Sequence, residues 1–239
     1  TNGLDVTRDA IIELAIQRFR FDACGRILEI GEPRTWRQDP GRALPALITQ
    51  ITGLTDADLA GQVIDDVAAT ALLLSADVVI AHNARFDAPF IEKRLPAAAG
   101  LAWACTLHDL DWRELGFDGR ALSHLLTQAG WFYEAHRAEA DVAALLHLLA
   151  HPLDNGASTV LGKLIDGAEK LTVRLDAVGA GYPMKTILRL RGYTWNPDAQ
   201  HWSIEIASAD AVAEQLWLRR YGSTRAATQT PITWRERHR

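Results

Sequence analysis

Val79-Ile80-Ala81-His82-Asn83-Ala84-Arg85-Phe86-Asp87 is the stretch on which the reading of this chain turns. Ala76 to Ala81 is a short, continuously apolar run, as expected of a strand buried on both faces. Ala88 to Leu95 then has helical spacing, and Pro89 is acceptable in a first turn. A buried strand feeding directly into a helix is the repeating unit of α/β proteins, and here it presents Asp87 at the junction. Downstream, Trp103 to Thr106 reads as a second buried strand and Ser123 to Ala129 as a helix. Glu139 to Ala150 is strongly amphipathic through Val142, Leu145, Leu146 and Leu149. Upstream, Ala10 to Arg20 reads as one strand, Asp22 to Gly25 as a turn, and Arg26 to Ile30 as a second strand. Residues 31–45 are expected to form a long irregular connection. Helices follow at Pro45–Ile51, Thr55–Leu59 and Val63–Leu74. The order predicts an α/β domain with a mixed sheet and flanking helices.

The 239 residues, 48% hydrophobic and 23% charged, suffice for one large domain or two modest ones and are too apolar for disorder. No uninterrupted apolar run has the length of a membrane helix, and no secretory signal opens the given sequence. Two cysteines, Cys24 and Cys105, exclude a disulfide framework and a four-cysteine zinc site. A reducing, cytoplasmic setting is expected. Residues 1–154 carry 13 Lys and Arg against 22 Asp and Glu, whereas residues 155–239 carry 12 against 8. This change of charge coincides with the turn-rich His151-Pro152-Leu153-Asp154-Asn155-Gly156. Two domains, 1–154 and 155–239, are therefore expected.

Some fifty residues beyond Asp87, His136-Arg137-Ala138-Glu139-Ala140-Asp141 opens the last helix of the first module. HNARFD followed by H-x-x-x-x-D resembles the second and third motifs of the DEDDh (DnaQ-like) 3′–5′ exonucleases, which include polymerase proofreading subunits. The resemblance covers about residues 1–150, and Ile51-Thr52-Gly53-Leu54-Thr55 also suits the family. It implies a ribonuclease-H-like fold and hydrolysis of phosphodiester bonds at the 3′ end of single-stranded or frayed DNA. Asp87 and Asp141 would hold two Mg²⁺ or Mn²⁺ ions, and His136 would be the general base. The chemistry agrees: hard cations require converging carboxylates, and histidine titrates near neutrality. By the same resemblance Thr1, Gly3, Leu4, Asn83 and Leu54 would touch the terminal nucleotide. Thr1-Asn2-Gly3-Leu4 matches the end of the family's first motif, whose Asp and Glu are expected upstream of Thr1 on a first strand. Glu13 reads as a strand residue rather than their substitute. A polymerase or repair partner is possible, and no membrane association is expected. The alternatives are a 3′–5′ exoribonuclease and a catalytically inactive nucleic-acid-binding protein.

The second module reads as a small α+β domain. Thr159 to Lys170 is helical, Leu171 to Ala177 is a strand, and Gly192 to Ile206 is a hairpin about Asn196-Pro197-Asp198. Ala209 to Arg220 is a closing amphipathic helix. Lys185, Arg189 and Arg191 beside Trp195 and Trp202 could grip single-stranded nucleic acid by charge and stacking. Equally, the tryptophans could fill the core of a small domain. Arg235-Glu236-Arg237-His238-Arg239 reads as a mobile basic tail.

Overall fold

The computed structural model describes residues 1–133, 137–153, 156–197, 199–221 and 227–238. The chain divides into two compact units, residues 1–168 with His238, and residues 169–237.

The first unit opens with strands β1 (Glu13–Ile16), β2 (Phe19–Phe21), β3 (Ile27–Ile30) and β4 (Arg34–Arg37). The expected single strand over 10–20 is broken at Gln17-Arg18. Its halves pair separately, β1 with β4 and β2 with β3, both antiparallel. β4 lies in the stretch expected to be irregular. Arg34-Thr35-Trp36-Arg37 has little apolar alternation of its own, and its pairing with β1, Trp36 opposite Leu14, makes it a strand.

Helices α1 (Ala46–Thr52), α2 (Asp56–Leu59) and α3 (Asp66–Leu74) follow. Thr55 and Asp58 form a capping box on α2, and the Asp65 side chain accepts from the Ala68 N–H to cap α3. β5 (Val79–Ala81) and β6 (Trp103–Cys105) run parallel, joined through α4 (Ala84–Arg94). α4 begins four residues earlier than its spacing suggested, so Asp87 lies within the first turn and Pro89 in the interior. α5 (Leu122–Gln128), α6 (Ala138–Ala150), the short pair β7 (Pro152–Leu153) and β8 (Ser158–Thr159), and α7 (Val160–Ala168) complete the unit. Ala84, Ala88, Phe90 and Ile91 of α4 enter the core beside Leu14, Leu73 and Trp103. Each such large side chain contributes about 1.5–3 kcal/mol on burial.

The packing boundary falls after residue 168, one helix later than the charge break at 154/155, whose two residues lie outside those described. Leu161 and Leu164 of α7 are fully buried, and Thr159 Oγ1 donates to the Gly25 carbonyl at 2.8 Å. A Cβ at Gly162 would stand 2.9 Å from the Cys24 carbonyl oxygen, so α7 packs directly on the loop at 24–25. Charge distribution is a surface property, whereas the core that a helix enters decides its unit.

The second unit contains β9 (Thr172–Ala177), α8 (Lys185–Leu190), β10 (Thr194–Asn196), β11 (His201–Ala207), α9 (Ala211–Tyr221) and β12 (Thr228–Ile232). Its sheet is antiparallel with order β10-β11-β9-β12. The expected hairpin forms, although its turn residue Asp198 lies outside the described residues. β12 was not expected. It carries Pro231 and is tolerated at the sheet edge, where a missing N–H costs least. The carboxy-terminal stretch is held rather than loose: Arg237 pairs with Glu205 at 2.8 Å, and His238 Nε2 lies 2.9 Å from Asp109 Oδ2.

Candidate active site

A cavity of about 970 Å³ in the first unit is lined by the whole of β1 and the whole of β5. Among the described residues neither strand has a second strand beside it. Asp87 reaches this cavity from the first turn of α4, and Asp141 from the first turn of α6. Two separate helix starts thus deliver carboxylates to one space. Burial pushes the Asp87 carboxyl up to about 6, and the Asp141 charge adds to the shift.

Tyr133 also lines the cavity, and its hydroxyl donates to Asp141. Burial first, then the Asp141 charge and this hydrogen bond, raise the phenol above its ordinary value. No motif pointed to Tyr133; its only sequence signal is the aromatic run Trp131-Phe132-Tyr133. His82 is oriented by a 2.9 Å contact from Nδ1 to Thr106 Oγ1 and by a hydrogen bond to the Arg120 backbone. Burial and the nearby His108 hold its pKa below the ordinary imidazole range.

His136 lies outside the described residues. Thr1, Asn83 and Leu54 line the cavity. Gly3 and Leu4 do not: Leu4 is 84% exposed, and Gly3 makes room for Asp9, whose Oδ2 would be 2.1 Å from a Cβ there. Glu13 also lines the cavity, but its carboxylate is already paired. Its carboxylate accepts from Arg137 Nη2 at 3.1 Å and from the Ala138 N–H at 2.9 Å, with Arg37 at 3.6 Å. Burial works against the charged form, but Arg137 and the Ala138 N–H hold the Glu13 carboxyl below the ordinary range. This bond ties β1 to the start of α6, a link spanning 124 residues of sequence. Glu13→Ala should lower stability by about 1–3 kcal/mol, read by denaturant unfolding, because the arginine and the helix N–H lose a buried acceptor.

The two carboxylates suit a hard divalent cation. Like charges in one largely apolar cavity repel, and a cation between them removes that cost. Among the described residues no three His, Cys, Asp or Glu side chains come together as a metal centre. By themselves Asp87 and Asp141 could supply only part of a ligand set.

In the second unit the five candidate residues separate. Trp202 is 6% exposed and packs with Leu188, Tyr193 and Leu218, so it serves the core rather than a stacking surface. Trp195, opposite it in register, is 47% exposed. Arg191 is committed to Glu214 through two nitrogens, Nε at 2.7 Å and Nη2 at 2.7 Å, while Tyr193 OH donates to the same carboxylate at 2.9 Å. Arg191 also lies 4.2 Å from the Trp217 ring centroid. Lys185 lies over Tyr182 and Arg189 over Trp202. Arg191→Ala should cost about 2–3 kcal/mol in chemical denaturation, since Glu214 loses its bidentate partner.

The RNase_T family, described as "Exonuclease", matches residues 1–149. Among solved structures, E. coli Exonuclease I in complex with a 5cy-dT13 oligonucleotide is 16% identical, with 98% of this chain and 62% of that chain covered and a TM-score of 0.53. The zinc-bound form of the E. coli Exonuclease I–ssDNA complex is 17% identical, with 98% and 61% covered and a TM-score of 0.54. Exonuclease X in complex with 5′ overhanging duplex DNA is 23% identical, with 62% and 86% covered and a TM-score of 0.45. The chain thus spans about three-fifths of the Exonuclease I structures, and the likeness shows a shared ribonuclease-H-like α/β fold. No curated protein sequence matches it. Among the described residues no helix is long and apolar enough to cross a membrane.

Proposed function

The chain belongs to the exonuclease family that spans its residues 1–149, and from that premise we propose that it removes nucleotides stepwise from the 3′ end of single-stranded or frayed DNA. The observation that carries this reading is the convergence of Asp87 and Asp141 on one cavity. In the proposal these two carboxylates hold Mg²⁺ or Mn²⁺, with Tyr133 fixing the rotamer of Asp141. Bound there, the metal supplies positive charge to the phosphoryl oxygens and acidifies a water. His136 takes a proton from the attacking water as its oxygen bonds to phosphorus. The bond from phosphorus to the 3′ oxygen breaks, giving a nucleoside 5′-monophosphate and a strand one residue shorter with a new 3′ hydroxyl. Thr1, Asn83 and Leu54 would surround the terminal nucleotide.

The second metal ion calls for two more acids. The Asp and Glu expected upstream of Thr1 would arrive on a strand between β1 and β5. What supports this is the cavity against both strands and the lack of a second partner for either among the described residues. Lys185, Arg189 and Trp195 of the second unit are proposed as a secondary grip on the strand, by charge and stacking.

The test is a 5′-labelled single-stranded DNA incubated with the protein and Mg²⁺ or Mn²⁺. A ladder receding from the 3′ end, abolished by chelation and by a blocked 3′ terminus, is expected. A matched RNA run in parallel decides between deoxyribonuclease and ribonuclease. One observation favours the inactive alternative: among the described residues no three His, Cys, Asp or Glu side chains come together as a metal centre, so binding without cleavage would select it.

A further inference from the structure

Beside the cavity lies a group of basic side chains that the proposed chemistry does not use. The loops leaving β5 and β6 are bonded to each other: the Thr106 N–H donates to the Ala81 carbonyl and the Leu107 N–H to the His82 carbonyl, both at 3.1 Å. His82 in turn bonds to the backbone of Arg120, in the segment before α5. Three exposed side chains, Arg85, His108 and Arg120, are thereby gathered at one place. Each is next in sequence to the cavity wall or one residue from it, since Asn83, Phe86, Leu107 and Ala121 all line the cavity. Their mutual influence is recorded at His108: partial burial first, then the charges of Arg85, His238 and Arg120, hold its pKa below the ordinary range, with Asp109 opposing. Among the described residues neither Arg85 nor Arg120 forms an ion pair, although acidic side chains predominate up to residue 154.

Unpaired like charges held together by backbone bonds raise the electrostatic energy of the free protein. A polyanion laid across them lowers it and releases condensed counterions. We propose that Arg85, Arg120 and His108 form a phosphate track, over which the sugar–phosphate backbone of the substrate strand leaves the cavity on the 5′ side of the terminal nucleotide. The inference rests on the exonuclease reading and deepens it. The track holds the strand through phosphates, with His108 as a neutral hydrogen-bond donor between the two guanidinium groups. Such contacts carry no base information, so affinity along the track is independent of sequence.

The experiment measures binding of the full chain to a 5′-fluorescent dinucleotide and to a twelve-nucleotide single strand, in Ca²⁺ to suppress turnover, between about 50 and 200 mM salt. Arg85→Gln and Arg120→Gln should each weaken the longer strand about tenfold at low salt, as for one lost charge-assisted contact. Each should lower the log–log salt slope by about 0.7, the value for one phosphate of a single strand. The loss should be smaller for the dinucleotide, and Arg85→Lys and Arg120→Lys should restore the slope. Both arginines are exposed, and circular dichroism checks that the variants are folded. If the parent binds and cleaves DNA but the Gln variants keep its slope, the track is wrong and the exonuclease reading stands. If the parent neither binds nor cleaves a single strand, the exonuclease reading fails and the track falls with it.

Discussion

Asp87→Asn is expected to reduce kcat/KM on a single-stranded 3′ end by about 10³-fold or more while making the metal-free chain more stable. The first effect follows from the proposed role. Losing a carboxylate ligand removes several kcal/mol of transition-state charge stabilisation, and about 4 kcal/mol corresponds to a thousandfold. The second follows from the cavity. Burial, with Asp141 adding, pushes the Asp87 carboxyl up to about 6 in the folded state, whereas the unfolded chain ionises it in the ordinary carboxylate range. The folded state therefore holds this proton more tightly, and ionising the group costs stability. The penalty is complete above about pH 6 and vanishes below the unfolded pKa, about 4. Its upper bound is about 3 kcal/mol. The variant's stability advantage should thus be present at pH 7 and shrink as the pH falls from 6 toward 4. Mg²⁺ should raise the Tm of the parent more than that of the variant, because the ion binds the native carboxylates. A variant that keeps its activity would remove Asp87 from the metal site. A variant that is inactive because it is unfolded would show the opposite stability change.

His136→Ala should slow the chemical step by about 10²–10⁴-fold, the usual contribution of a positioned general base. Single-turnover rates isolate that step from product release. Strand affinity measured in Ca²⁺ should stay within a few-fold of the parent, since the proposed base acts on water and not on the nucleic acid. The acidic limb of the rate–pH profile, where an imidazole becomes protonated and cannot accept a proton, should also disappear. An unchanged single-turnover rate would assign the base to another group.

The parts legible in the sequence are those written in local periodicity. The apolar run before His82 and the spacing after it declared a strand entering a helix, and β5 and α4 are there. The spacing from 139 to 150 declared α6. Asp87 and Asp141 could be named because the segments that carry them resemble two motifs of one exonuclease family, and each lies in the first turn of its helix. Helix ends were less secure: α4 starts early because Ala84 and Ala88 are buried, and burial decides how far a helix extends.

What the sequence left open depends on partners distant along the chain. β4 and β12 are strands only because β1 and β9 bond to them; Arg34-Thr35-Trp36-Arg37 and Thr228-Gln229-Thr230-Pro231-Ile232 have little apolar patterning of their own. Arg191 reads as a surface cation until Glu214, 23 residues away, takes it. Trp195 and Trp202 are equivalent in composition, yet opposite positions in one hairpin leave one half-exposed and bury the other. Local pattern by itself established the α/β class of the first module, and a motif resemblance singled out its two acids. Tertiary structure decided which carboxylates share a cavity and which arginines are already paired. The physical reason is that periodicity and capping act within a few residues, whereas burial and ion pairing depend on groups that folding brings together from anywhere in the chain.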